Sequence, residues 1–574
     1  MDVKANRKNV GSYGNGGTMR SEWLCTASRH HELRRHRVGR MQQDRQTLRR
    51  GASENAPMRS RKSWTVPFVT CAVVAAFVLG SCKDEGPDAP VAVARRPRIT
   101  PDYVGIVVPP NVAPLNFTID EPGERYAVKV YSASGEPIEV AARTGDIVIS
   151  EKRWKDLLGA NAGKELSVDV YVKTESGLWN RYETITNTIA EETIDSHLVY
   201  RFMTPSSYFP KPMQIRQRNL ETFDEEVLLD TRSYGNGCAN CHSFVGNRPD
   251  PMLIGIRSTT FPSATVYAHA GGVEKIGAKF GYTAWHPSGR IVTYSINDVR
   301  QFFHTAQNEI HDVVDLDSLI VYHDIEKNET KTAPALSDKA RLETYPAWTP
   351  DGKYLYFCSA PLLWTDMETV PPRRYDEVQY DLMRIAYDVE TDTWGALETV
   401  LSAADTGLSI LLPRVSPDGR FLLFCMSRYG CFPVYQPTSD LYMMDLSTGE
   451  YWKTSANSEY SESWHSWSSN SRWIVFSSKR QGGLFTRPFI SHVDEGGRTR
   501  KPFVLPQEHP SFYASCYHLY SVPELIAGPM AADGAALLEA VVGPTRISVV
   551  NSITGATSKT GDTEAYPVGR SSVQ

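Results

Sequence analysis

The sequence predicts an all-β protein: an N-terminal β-sandwich of the immunoglobulin-like kind, a short irregular segment that carries two cysteines, and a β-propeller expected to have six blades. Three observations lead there. Short runs at 126–131, 146–149 and 166–172 alternate apolar and polar residues between turn signals. From about residue 250 one pattern recurs four times, ending in strand-like apolar runs. Between the two lies Cys238-Ala239-Asn240-Cys241-His242, directly behind the glycine-rich loop Tyr234-Gly235-Asn236-Gly237.

Taken in order, the chain opens on a segment at odds with its neighbour. Arg59, Arg61 and Lys62 precede an apolar run from Trp64 to Leu79, a charged n-region before an h-region too short to span a bilayer. A signal peptide must emerge first, so 58–81 reads as the targeting segment, Met58 as the true start and 1–57 as a misassigned upstream piece. The other reading of 1–57 is a basic nucleic-acid arm. The run closes on Leu79-Gly80-Ser81-Cys82, which resembles the bacterial lipoprotein box; the resemblance implies acylation of Cys82, rather than an uncleaved anchor. Several acyl chains at about 0.8 kcal/mol per buried methylene hold a protein on a membrane without a helix. Lys83-Asp84-Glu85 behind it is similar to the tag that directs lipoproteins of the Bacteroidota outward. The expected place is therefore the cell outer membrane, lipid-anchored, on its outer surface or its periplasmic face.

From residue 82 on, the chain holds 46 Lys and Arg against 61 Asp and Glu. That excess of negative charge excludes nucleic acid as a partner and keeps the chain soluble at a membrane surface. Residues 82–98, rich in Pro, Ala, Asp and Arg without an apolar period, read as a tether, and 99–195 as the sandwich, a spacer in which nothing looks catalytic.

Residues 196–249 form the cysteine segment. Two thiols two residues apart add to the two vinyl groups of one haem, and the next imidazole ligates the iron, so the spacing predicts one covalent haem c held by Cys238 and Cys241, with His242 on the proximal side. A structural disulfide or half of a zinc site are the competing readings; zinc needs four ligands, and no second Cys-x-x-Cys or His-x-x-x-His exists in the sequence. Pro205, Pro210 and Pro212 leave room for hardly one helix, so the haem must borrow its pocket from neighbouring domains. The sixth iron ligand is open: Met252, ten residues beyond His242, or one of His269, His286 and His304, or none. Cys358, Cys425, Cys431 and Cys516 read either as disulfide partners or as buried free thiols.

Residues 250–574 read as the propeller. Ala284-Trp285-His286-Pro287-Ser288-Gly289 recurs as Ala347-Trp348-Thr349-Pro350-Asp351-Gly352, as Arg414-Val415-Ser416-Pro417-Asp418-Gly419 and as Ser466-Trp467-Ser468-Ser469-Asn470-Ser471. The Pro-Asp-Gly turn, the apolar strand after it and a tryptophan between blades make a four-stranded blade. Asp533-Gly534 with 547–555 reads as a degraded last unit, and 252–276 as strands that close the ring with the C-terminus. Pro-Asp-Gly-Lys, Pro-Asp-Gly-Arg and Asp440-Leu441-Tyr442-Met443-Met444-Asp445 resemble the TolB-like, WD-type propellers. With Cys241-His242-Ser243-Phe244 and Gln301-Phe302-Phe303-His304, the chain is similar to Bacteroidota lipoproteins in which such a propeller follows a single Cys-x-x-Cys-His. That resemblance implies no activity.

Two functions are expected. One is electron transfer, or a haem-bearing docking module acting through the propeller face; the other is a surface binding protein whose funnel takes a glycan, peptide or protein partner, with the haem structural or absent. An enzyme is the least supported reading: no Gly-x-Ser-x-Gly elbow and no phosphate-binding Gly-x-x-x-x-Gly-Lys-Ser/Thr exists. Asp312, Asp315 and Asp317 read as a solvated acidic loop rather than a metal or acid/base site.

Overall fold

The computed structural model describes Pro87 and residues 89–551, apart from 206–211, 259, 305–308 and 365–368. Residues 1–81, the expected acylation site Cys82 and the expected tag Lys83-Asp84-Glu85 lie outside these, as does the side chain of Cys241.

In the N-terminal region Arg125–Tyr131 buries alternate residues, Tyr126, Val128 and Val130, as a strand with one face on a core must. It pairs antiparallel with Ile138–Ala142 and Glu165–Lys173 in a seven-stranded sheet, and a three-stranded sheet joins Ile99–Thr100, Phe117–Ile119 and Asp146–Ile147. Two features depart from the expectation. Val91–Val93 lies inside the supposed tether yet pairs parallel with Trp179–Tyr182, because its backbone groups complete an otherwise open sheet edge. Glu151–Gly159 is a helix; it buries Trp154, Leu157 and Leu158, and the Trp154 indole donates to Val112 O at 2.9 Å.

The remainder is a ring of sheets. Among the described residues six blades occur, five of four strands and the second of five, with inner strands Cys238–Phe244, Gly281–Trp285, Arg341–Trp348, Ser409–Val415, Glu462–Trp467 and Leu519–Ile526, numbered one to six in that order. Each inner strand packs on the next, and the sixth packs back on the first. The repeated segments are the turns that join inner to second strands. In blade four the Ser416 hydroxyl donates to Asp418 Oδ1 at 2.5 Å and accepts from Phe421 N at 3.0 Å, while Gly419 supplies φ 74°. The tryptophans work between blades as expected: Trp285, Trp348 and Trp467 each donate to the preceding blade, at Ser243 O, Thr293 Oγ1 and Arg414 O, with distances of 3.4, 3.0 and 3.0 Å.

The domain boundaries move. Residues 196–249 are not an irregular haem segment: His197–Met203, Met213–Asn219 and Glu225–Asp230 are the three outer strands of blade six, whose inner strand Leu519–Ile526 comes from the far end of the chain. This closure, and not 252–276, seals the ring; Met252–Arg257, Ala264–His269 and Gly272–Ile276 are simply the outer strands of blade one. Joining distant strands in one sheet removes two open edges, which local pairing cannot do. Nor do the described residues of the expected last unit form a blade of their own: Asp533 caps the helix Gly534–Val542, accepting from Ala536 N at 2.8 Å, Val550–Asn551 pairs parallel with Glu329–Lys331 at the edge of blade two, and 552–555 lie outside the described residues. The N-terminal region docks on blade five, where Asp195 accepts from Ser469 N and Oγ, and Glu192 meets Arg472 and His492.

Candidate functional site: a ring of bulges around the channel

All six inner strands break their pairing for two residues. The interruptions fall at Cys241-His242, Tyr282-Thr283, Tyr345-Pro346, Leu412-Pro413, Trp464-His465 and Val522-Pro523. At five of these the first residue adopts left-handed backbone: Tyr282 at φ 44°, Tyr345 at 55°, Leu412 at 54°, Trp464 at 46° and Val522 at 50°. Such a conformation costs about 1–2 kcal/mol per L-residue, and its recurrence marks a bulge that re-aims side chains. Three of the second positions are proline, which the lost ladder bond permits.

The cysteine motif is therefore the inner strand of blade one. Cys238, Ala239 and Asn240 pair with Arg257, Ile256 and Gly255, and Cys241-His242 is the bulge. Gly237 lets the strand begin there, since a Cβ at that position would lie 2.2 Å from Arg257 O and 2.4 Å from the Tyr234 ring.

The bulges surround a cavity on the channel axis, lined by residues of all six blades. His242 faces it, 3 % exposed, and its Nε2 has no hydrogen-bond partner among the described residues. Burial first, then the nearby Arg201 and Arg414 charges, push its pKa down to about 3, so the ring is neutral at ordinary pH. Arg201, from the second strand of blade six, donates to Asn240 Oδ1 at 2.5 Å and to Ser521 Oγ at 3.1 Å. Arg414 follows the bulge of blade four, and Glu524 holds the same place in blade six; desolvation raises the Glu524 pKa to about 7 against the pull of Arg414. The walls are aromatic: Tyr282 lies 4.4 Å from Tyr345 and stacks on Trp464 at 6.3 Å between ring centres.

A long hairpin, Ile291–Phe303 with His311–Asp324, leaves blade two and reaches blades four and five. Asp312 accepts from Tyr429 OH at 2.8 Å and Gln436 Nε2 at 3.1 Å, and Glu309 pairs with the buried Lys479. Blades two and five oppose each other in a ring of six, so the hairpin spans one mouth of the channel. Asp312 and Asp315 are thus buried rather than solvated, at 2 % exposure each, because this strap carries them into the mouth.

The proposed ligands of the iron do not converge. Cys238 is a buried free thiol among Met203, Met213 and Leu519, beside the cavity rather than on it. Met252 is buried in the blade-one core. His269 stacks on Tyr267 and approaches Glu274; His304 meets Asp312 in the strap. His286 replaces the turn Thr or Ser of other blades, bonding to Ser288 Oγ at 2.8 Å and donating to Gly352 O at 3.1 Å. None of these four lines the cavity with His242, so none is placed to be a second axial ligand there. Sequence reading missed Arg414, although its signal was present: it stands where the aligned repeats carry Ala284, Ala347 and Ser466. Arg201 lies outside the repeats and gave no signal.

Among the described residues, no group of three or more His, Cys, Asp or Glu is disposed to hold a metal ion, and no helix is long and apolar enough to cross a membrane. The remaining cysteines, Cys358, Cys425, Cys431 and Cys516, are buried and free. No family model and no curated protein matches the chain. Solved structures similar to it include a nidogen/laminin complex (10 % identity, 58 % of this chain and 98 % of that one, TM-score 0.33). An oligogalacturonate lyase from Vibrio parahaemolyticus (13 %, 66 % and 100 %, TM-score 0.28) and prolyl oligopeptidase B from Galerina marginata (11 %, 67 % and 54 %, TM-score 0.31) are also similar. Likeness this distant says nothing of function. By its own sheets, the chain is an all-β, propeller-like protein.

Proposed function

We propose that the chain is a lipid-anchored, haem-bearing protein of the cell envelope, a TolB-like propeller behind an immunoglobulin-like spacer, acting in electron transfer or as a haem-bearing docking module. The observation that carries this reading is the partnerless Nε2 of His242 on the channel cavity. A neutral imidazole keeps a lone pair for a metal. When bound, haem supplies an iron that gains and loses one electron. His242 would hold that iron beside the aromatic walls. Cys238 is an unpaired thiol on the same strand as His242, consistent with a thioether site once it leaves the Met203, Met213 and Leu519 packing.

That same packing favours a second reading, a binding protein whose funnel takes a glycan, peptide or protein partner with the haem structural or absent. Intact and peptide mass spectrometry of natively expressed protein separates the two. The haem reading expects porphyrin mass on the peptide containing Cys238 and Cys241, and a Soret band that shifts on reduction; bare or mutually disulfide-bonded sulfurs overturn it. Membrane attachment is tested by Cys82→Ser, which should move the protein from the membrane to the soluble fraction; retention in the membrane sinks the anchor.

A further inference from the structure

We infer that the channel cavity is a carboxylate site, taking the acid group of a ligand whose flat ring or sugar face lies against Tyr282 and Trp464. The inference does not depend on the haem reading. Three residues lining the cavity each carry a buried polar atom without a hydrogen-bond partner among the described residues: His242 at Nε2, Thr283 at Oγ1 and Trp464 at Nε1, on residues 3 %, 5 % and 8 % exposed. A buried polar group left unpaired costs about 1–3 kcal/mol, so three around one cavity are poor structural choices and good ligand contacts. The Trp indole only donates, and the Thr hydroxyl can.

Charge points the same way. No Asp or Glu is among the lining residues, whereas Arg201 and Arg414 both are. Arg201 is held in place by Asn240 and Ser521, and Arg414 makes no ion pair among the described residues. A guanidinium's planar fork of donors pairs best with a planar anion. Phosphate is less suited, because phosphate sites lean on successive backbone N–H groups or a helix N-terminus. Here two of the lining bulge residues, Pro346 and Pro413, have no N–H to give. The acid could belong to a free carboxylated molecule or to a haem propionate; the chemistry at the arginines is the same.

The test is calorimetric titration of the full chain made in the cytoplasm, where no haem is ligated, with benzoate and glucuronate against their neutral counterparts benzamide and glucose. At least one acid should bind at least about tenfold tighter than its neutral counterpart, as one charge-assisted hydrogen bond implies. Arg414→Gln should weaken that acid about tenfold or more, Arg414→Lys should keep part of the affinity, and Glu524→Gln should tighten it. Thr283→Val serves as a second weakening variant if Arg414→Gln does not fold. Equal binding of acid and neutral molecule, no saturation by either acid, or unchanged affinity in folded Arg414→Gln and Thr283→Val overturns the site. Haem-loaded protein then assigns the source. If it no longer binds the acid and Arg414→Gln shifts its reduction potential, the carboxylate is a propionate; if it binds as the haem-free chain does, the ligand is a free acid. Absence of porphyrin mass would sink the haem reading while leaving the titration untouched.

Discussion

His242 and His465 hold the same place in the bulges of blades one and five, but only His465 has its Nε2 hydrogen-bonded. Its Nε2 donates to Leu423 O at 3.0 Å and its Nδ1 lies 3.7 Å from Cys425 Sγ, whereas His242 presents a bare Nε2 to the channel. One position in the ring thus serves structure in one blade and is left open in another. Replacing His465 by Leu should cost about 1–3 kcal/mol by stranding its buried partner. His242→Leu should cost less than the His465 change, because its Nε2 gives up no hydrogen bond. Urea unfolding of the two variants checks this; equal losses would mean that His242 is as structural as His465.

The Lys479–Glu309 pair ties the strap to blade five with both side chains largely buried, at 8 % and 14 % exposure. Removing one partner of a buried pair strands the other charge and costs about 3–5 kcal/mol, whereas replacing both with apolar residues is often near neutral. Lys479→Met alone should therefore destabilise more than Lys479→Met with Glu309→Leu. Denaturant midpoints of both variants decide the matter, and a double variant worse than either single would show that the strap does not rest on this pair.

Acidity should act in two opposite directions. Burial raises the Glu343 pKa from 4.5 to about 8, so the folded state binds its proton more tightly than the unfolded chain, and this group's contribution falls as pH rises from about 4.5 to about 8. Burial lowers His242 and His465 from 6.5 to about 3, so the unfolded chain binds more protons in that window and their contribution rises with pH between about 3 and 6.5. Glu343→Gln should remove the alkaline decline and gain roughly 2–4 kcal/mol over the wild type at pH 9 relative to pH 5. Melting temperatures across that range test it, and parallel curves for the two proteins would refute the assignment.

Burial of free thiols has a chemical consequence as well. Cys358, Cys425 and Cys431 are buried, and desolvation holds each far from its thiolate form. They should resist iodoacetamide in the folded protein and react on unfolding in guanidinium. Rapid native alkylation of any of the three, located by tryptic mapping, would contradict the packing.

Much of the ring was legible in the sequence by itself. Pro-Asp-Gly turns and alternating apolar residues are local physics, and the Trp285, Trp348 and Trp467 spacing carried the blade packing with them. The cysteine motif was legible as residues but not as structure. Glycines and prolines around 205–237 suggested an irregular loop, yet pairing of Met213–Asn219 within a sheet anchored by Leu519–Ile526 overrides that local preference. Ring closure was beyond sequence periodicity, because Leu519–Ile526 meets His197–Met203 across more than half the chain and only the completed circle rewards that pairing. The cavity was hidden for the same reason. Arg201, His242, Thr283, Arg414 and Trp464 come from five different blades, and no local pattern tells a chain where five separate strands will aim their side chains once the ring closes.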